Sequence, residues 1–435
     1  MTKTKSGNSK SQKFIVLLLM IISLCTIYIL PYLRYSFFTP LQEAMGLTNN
    51  SAAFGSLISV YGIINVICYI PGGFLADKYD PKKLLVFSMV SSGILGLWMG
   101  TWPSYNALMI IHILWSITTV LTFWSSSVKC VNMLASSDEQ GEMFGFLEGG
   151  RGLIGLGING VFLAIFVYCS AKAGGDVAGI TLVVNCVSIL MILDGIALAF
   201  LLPKSNISVA VNSSAKDSVQ AMIKSFKQPI TWSLAGIIFT CAALAASGAY
   251  FSPYLQSFAG MTVVMASTFG VIRSNGTAII ASPIAGIISK KMGRSSFVIV
   301  AAFVGLLTLC IYLRIVPATP KLLWPLIIVM LIFSVLYAAN RAVYWALIDE
   351  SGTPKNMVGS VIGVASVIGF LPDTFIHTLF GNYLDKYEPM VAYNKIFMFC
   401  IGCAILGLVT SVVAERIIKK QQASKASVSS ESTEN

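Results

Sequence analysis

Gly73-Phe74-Leu75-Ala76-Asp77-Lys78-Tyr79-Asp80-Pro81-Lys82-Lys83 is a short polar clasp between two long apolar runs, residues 53–75 and 83–101. Each run has about the length an α-helix needs to cross the hydrocarbon core of a bilayer, roughly twenty residues. The alternation continues in both directions. Apolar segments fall at 14–38, 53–75, 83–101, 106–133, 143–168, 178–202, 229–256, 262–288, 296–315, 321–347, 357–381 and 393–414, which makes twelve. Composition agrees, with 56% of 435 residues hydrophobic, 11% charged and a mean hydropathy of +0.80. Such values exclude ordinary soluble domains and predict an all-α integral membrane protein.

Other classes fall away on the same grounds. The first apolar segment follows Lys10 and Lys13 like a secretory leader, but it is too long and no small-residue cleavage site follows, so it reads as the first span. The net charge of +11 comes from 29 Lys and Arg dispersed among apolar runs, so nucleic acid is not the expected partner. All nine cysteines, Cys400 and Cys403 included, lie in apolar segments without a metal-ligand histidine nearby and read as packing residues. The chain has no HExxH, GxSxG or Walker A motif, so it is read as a non-enzyme without a cofactor and not driven by ATP.

A polar stretch from Lys204 to Gln228 divides six spans from six. The expected domains are a bundle at 1–203, a linker at 204–228, a second bundle at 229–416 and a disordered tail at 417–435. An even number of spans places both termini on one side. That side carries nineteen Lys and Arg against five on the other, so the positive-inside rule predicts a multi-pass protein of the cell membrane with both termini cytoplasmic. Five cations remain within the spans: Arg34, Lys129, Arg151, Arg273 and Arg341.

Sliding the chain against itself by about 213 residues sets Phe38-Thr39-Pro40 on Phe251-Ser252-Pro253 and Gly73 on Gly286. In nearly the same register Lys129 meets Arg341, and Gly145 and Gly149 meet Gly359 and Gly363. Six-span repeats are parallel, related by a pseudo-twofold axis along the membrane normal, and suit alternating access. Pro31, Pro40 and Pro253 are predicted to bend the first and seventh spans. Gly141, Gly145, Gly149 and Gly152 mark strips for close helix packing.

The clasp resembles the signature loop between helices 2 and 3 of the major facilitator superfamily: a Gly, three residues, an Asp, a base, one residue, a Gly and further bases. The sequence keeps Gly73, Asp77, Lys78, Lys82 and Lys83, with Asp80-Pro81 where a Gly is usual. The second copy, Gly286-Ile287-Ile288-Ser289-Lys290-Lys291-Met292-Gly293-Arg294, keeps Gly293 and has Lys290 in place of the Asp. The resemblance implies the twelve-helix fold of that family and a gating role for Gly73, Asp77 and Lys78, with Asp77 capping a helix end and pairing with a base.

A narrower similarity is to the organophosphate and organic-anion branch, where an arginine in helix 1 contacts the anion. Arg34 stands 43 residues before Asp77 and is followed by Phe37 and Pro40. The branch's second arginine, in helix 7, has no counterpart, because Ser247 matches Arg34 in the repeat. Pro40-Leu41-Gln42-Glu43 and the run Phe144-Gly145-Phe146-Leu147-Glu148-Gly149-Gly150-Arg151-Gly152 are similar to uncharacterised bacterial members near the sulfosugar and organic-anion transporters. The resemblance implies a secondary active transporter of a small organic anion. The alternative is proton-coupled efflux or uptake of an amphipathic or neutral compound on the same fold.

Charge balance points the same way. A cation left at mid-bilayer costs about 2.5–3.5 kcal/mol, and the five in-span cations face three in-span acids, Glu148, Asp194 and Asp373. An anion would balance the excess. Arg34 is the expected clamp, since guanidinium presents a planar fork matched to carboxylate, sulfonate or phosphate. Lys129, Arg341 and Arg273 are the further candidates, with Tyr32 and Trp124 as aromatic surfaces for the carbon skeleton. Glu148 and Arg151, three apart, read as a salt bridge that could open. Asp373 and His377, four apart, read as a protonatable pair on one helix face. A monomer in the lipid bilayer, with a proton or counter-anion as coupling partner, completes the expectation.

Overall fold

The computed structural model describes residues 10–134, 140–172, 174–202, 223–354 and 357–431; side chains at 10–13, 70, 73–74, 77, 131–134, 140–146, 148–149 and 422–431 lie outside that description. Among the described residues the chain is helical, with no strand. Eleven helices are long and apolar enough to cross a membrane, and a shorter apolar helix, Phe14–Thr26, precedes them. The outward faces carry large apolar side chains, with Phe200 82%, Leu153 74% and Trp324 66% exposed. A surface of that kind needs lipid rather than water against it.

The shorter first helix has a local cause. The first span runs as a helix over Lys10–Thr26, loosens into turns, tightens into a 3-10 turn at Leu33–Tyr35 and restarts as Phe38–Ala44. Pro31 lies inside the interruption and has no N–H to continue the ladder. The seventh span repeats the design, with Pro229–Gly248 followed by Phe251–Ala259. Pro40 and Pro253 sit at the third position of the two restarted helices, where a missing N–H costs nothing. Both restarts are followed by a left-handed glycine, Gly46 at φ 68° and Gly260 at φ 70°. The repeat read from the sequence therefore extends to backbone conformation.

The second span is Ser51–Lys78 and the third Pro81–Met99. Asp80-Pro81, the departure from the usual loop, starts that third helix. The Asp80 carboxylate accepts the Lys82 N–H at 3.0 Å, and Pro81 takes the first helical position. The fourth span, Tyr105–Cys130, contains a π-helical stretch at Ile117–Trp124. The fifth and sixth are Gln140–Lys172 and Gly175–Leu201. The eighth, Val263–Met292, holds a second π-helical stretch at Ile272–Gly276. The ninth and tenth are Ser295–Ile315 and Leu323–Val343. The eleventh is broken into Val358–Gly369, a 3-10 turn at Leu371–Thr374 and Ile376–Lys386.

The twelfth span, Pro389–Glu431, corrects one expectation. The tail read as disordered from 417 continues as helix to Glu431. Its Lys, Gln and Ala residues favour helix, and Glu415 and Lys419 form an i,i+4 pair at 2.9 Å. Most of the expected linker, residues 204–222, lies outside the described residues.

The chain forms two compact units, residues 1–46 with 63–211, and residues 47–62 with 212–435. The second unit thus takes the first half of the second span. Within it that half-helix lies against the eleventh span at backbone distance. A Cβ on Gly55 would meet the His377 carbonyl, one on Gly62 the Asp373 carbonyl at 2.9 Å, and one on Gly381 the Ser51 carbonyl. Asp385 caps the helix from outside, its two carboxylate oxygens accepting the N–H groups of Ser51 and Ala52 at 2.8 Å each. Thr378 Oγ1 donates to Ser59 Oγ at 2.9 Å in the same interface.

Candidate functional site

In the first unit the interrupted part of the first span carries Arg34. A chain that leaves the α-helix inside a bundle turns side chains inward that a continuous helix would spread around its faces, and Arg34 is only 3% exposed. Its guanidinium carbon lies 5.2 Å from the centroid of the Phe38 ring, a cation–π contact. Tyr28 holds the same segment to the fourth span, its hydroxyl donating to the Thr119 carbonyl at 3.1 Å and its ring meeting Phe123 edge-on. Thr119 and Phe123 belong to the π-helical stretch, so the two irregular segments are joined. His112 of the fourth span lies within electrostatic reach of Arg34. Tyr32 stands edge-on to Tyr35 at 5.7 Å, and Trp124 is 37% exposed at the end of the π stretch.

The second unit has a counterpart reached by a different route. Ser247 replaces an arginine in the repeat, but Arg273, 1% exposed in the π-helical stretch of the eighth span, packs onto the next residue of the seventh. A Cβ at Gly248 would collide with Arg273 Nη1. A guanidinium therefore stands at the seventh-span break, as Arg34 stands in the first-span break. The signal was present in the sequence as a glycine directly before the Ala249–Tyr250 interruption.

The other cations fall elsewhere. Lys129 Nζ donates to the Ala76 carbonyl at 2.6 Å, capping the last turn of the second span beside Asp77. Lys129 is thus placed at the clasp. Arg341 is exposed on the last turn of the tenth span, within electrostatic reach of Cys241. Arg151 is half-buried, and its carbonyl accepts the Cys25 thiol at 3.5 Å. Glu148, Gly73 and Asp77 belong to helices, but their side-chain positions lie outside the described residues. Lys78 is exposed, with Nζ 5.7 Å from the Tyr79 ring centroid.

The i,i+4 face expected for Asp373 and His377 does not hold. Asp373 lies in the 3-10 turn, Phe375 leaves helical geometry at φ −139°, and helix resumes only at Ile376, so the spacing no longer sets the two on one stripe. His377 is fully buried, with its ring stacked on Tyr250 at 6.0 Å, and the Tyr250 hydroxyl donates to the His377 carbonyl at 3.1 Å. Among the described residues no group of three metal-ligating side chains occurs. Sequence reasoning missed the Asp385 cap and the Gly55, Gly62 and Gly381 contact. The seven-residue spacing of Gly55 and Gly62, which puts both on one helix face, was the available signal.

Comparison with known proteins adds the wider frame. The family described as Major Facilitator Superfamily matches residues 14–375. The chain is 32% identical over 387 residues to Inner membrane protein YqcE of Escherichia coli (strain K12), covering 87% of this chain and 89% of that one. Two solved structures share the fold at low identity. One is a bacterial homolog of the human lysosomal transporter Spinster in an inward-facing, unoccupied conformation, with TM-score 0.71, 14% identity and coverage of 95% and 99%. The other is a D-xylose-proton symporter, with TM-score 0.69, 16% identity and coverage of 92% and 96%.

Proposed function

The chain belongs to the Major Facilitator Superfamily, and from that premise we propose that it is a secondary active transporter of a small organic anion, of the sugar-phosphate, sulfonate or carboxylate type. It is a multi-pass membrane protein on a fold used for membrane transport. The observation that carries the anion reading is Arg34: a guanidinium buried in the interrupted first span, in cation–π contact with Phe38. A guanidinium there presents a planar fork of donors matched to carboxylate, sulfonate or phosphate. Arg273 supports the same reading from the second unit, at the break of the seventh span. Tyr32 offers an aromatic edge for the carbon skeleton. Both termini are assigned to the cytoplasm.

The test is a thermal-shift screen of purified protein against glycerol 3-phosphate, methanesulfonate, lactate and glucose. A solute that binds only the folded protein stabilises it by about 2.7 kcal/mol at a hundred times its Kd. Stabilisation by at least one anion, with none from glucose, is expected. Stabilisation by glucose alone would favour the neutral-compound alternative.

Gly73, Asp77 and Lys78 are assigned to switching at the cytoplasmic clasp, with Lys129 closing the same helix end through Ala76. Asp77→Asn is therefore expected to lower the rate of transport into proteoliposomes while leaving anion affinity in detergent unchanged. A matching loss of affinity in a direct titration would move Asp77 from the gate to the binding site.

A further inference from the structure

Asp194 lies in the sixth span, 5% exposed, and its carboxyl faces the first span at Ser23, which is fully buried. Ser23 Oγ is 2.5 Å from Asp194 Oδ2 and donates to the Leu19 carbonyl at 2.9 Å. One hydroxyl proton cannot serve both acceptors. Both contacts are satisfied together when Asp194 carries a proton, donates it to Ser23 Oγ, and Ser23 donates onward to Leu19. Asp194 Oδ1 is buried and has no hydrogen-bond partner among the described residues, which a neutral acid tolerates far better than a carboxylate.

The elements packed against the sixth span are the first, third and fifth spans and the restarted helix Phe38–Ala44. Their titratable and charged groups are placed as follows. Cys25 of the first span is turned to the Arg151 carbonyl, and the side chains of Lys10 and Lys13 at its start lie outside the described residues. Lys82 of the third span reaches the Leu202 carbonyl two turns away, and Lys83 is exposed. Glu43 of the restarted helix is exposed. The fifth span carries Arg151, Tyr168, Cys169 and Lys172, with Tyr168 exposed, together with Glu142 and Glu148, whose side chains lie outside the described residues. No ion pair to Asp194 occurs among the described residues.

We propose that Asp194 and Ser23 form a buried proton-binding site at the base of the first-span break, the coupling site of the transport reading above. A proton from the aqueous phase adds to Asp194 Oδ2, forming one O–H bond, and the Ser23 hydroxyl turns to Leu19. On release, the Ser23 proton turns back to Oδ2 and the Leu19 carbonyl loses it. The Ser23 backbone carbonyl accepts the Ile27 N–H at 3.0 Å, so the residue belongs to the last turn before the chain leaves the helix that leads to Arg34. Loading and unloading the proton therefore changes how that last turn is held to the sixth span. The site lies on different elements from Asp373 and His377.

Infrared difference spectra of the purified full chain between acid and alkaline pH test this without any transported solute. The parent is expected to show the carbonyl stretch of a protonated carboxylic acid, lost at alkaline pH. Asp194→Asn should lack that component. Ser23→Ala should retain it at a shifted frequency, because the acid loses its partner. An identical band in Asp194→Asn, or an unshifted one in Ser23→Ala, overturns the site, and the second variant decides the matter if the first does not fold. Sodium chloride that raises the melting temperature of the parent over choline chloride, but not that of Asp194→Asn, also overturns it in favour of a metal cation. Failure here leaves the anion titrations at Arg34 untouched, and failure of the anion reading leaves these spectra unchanged.

Discussion

Arg34→Gln is expected to weaken binding of the stabilising anion by roughly ten- to a hundredfold, with Arg34→Lys in between. A charge-assisted hydrogen bond is worth about 1.5–3 kcal/mol, and each 1.4 kcal/mol is a factor of ten in affinity. Gln removes both the charge and the fork. Lys keeps the charge but replaces a planar five-donor group with a point ammonium. The fold should survive either change, because Tyr28 and Phe37 hold the broken segment through partners other than the guanidinium, Thr119 and Phe166. Titration calorimetry in detergent on the parent and both variants reads the effect, with melting temperature as the control for folding. A folded Gln variant with the parent's affinity removes Arg34 from the site.

The second large effect is expected at Gly55. Its missing Cβ lets the second span rest on the His377 carbonyl, and that oxygen belongs to backbone that cannot step aside alone. Gly381 makes the reciprocal approach to Ser51, and Asp385 closes the helix end over both. Gly55→Leu should cost this arrangement about 1–3 kcal/mol by overpacking, which shifts an equilibrium between two arrangements roughly five- to 150-fold. Spin labels at the exposed positions Thr48 and Tyr387 read the change as a longer distance that gains population. Asp385→Asn should act in the same direction but less, since it weakens a cap rather than blocking a contact. An unaltered distance distribution in Gly55→Leu would show that the close contact is not part of the working cycle.

What the sequence made legible was periodicity, charge and repetition. Span number, the break at 204–228 and the Phe-Thr/Ser-Pro repeat needed only apolar run length and a self-comparison, and the left-handed Gly46 and Gly260 extend that repeat to the backbone. Features that depend on irregular backbone were not legible. The i,i+4 argument for Asp373 and His377 assumed a continuous helix, and the 3-10 turn at Leu371–Thr374 voids the assumption. The pairing of Lys129 with Arg341 rested on repeat register alone, whereas a lysine's length lets it reach the nearest open helix end, here Ala76. Ser247 was read as a lost arginine because a repeat compares like with like. Arg273 reaches the same break from a different helix, which no alignment of the two halves displays. Asp385 was invisible for a related reason: its partners are backbone N–H groups 334 and 333 residues away.

If this chain carries an anion held by Arg34, solute counterflow will show it. Proteoliposomes would be loaded with whichever of glycerol 3-phosphate, methanesulfonate or lactate stabilises the protein most, then diluted into a trace of the same labelled anion. Transient accumulation of label by the parent is expected, and its loss in Arg34→Gln. Counterflow of glucose by the parent, undiminished in Arg34→Gln, with none of the three anions moved, would contradict it.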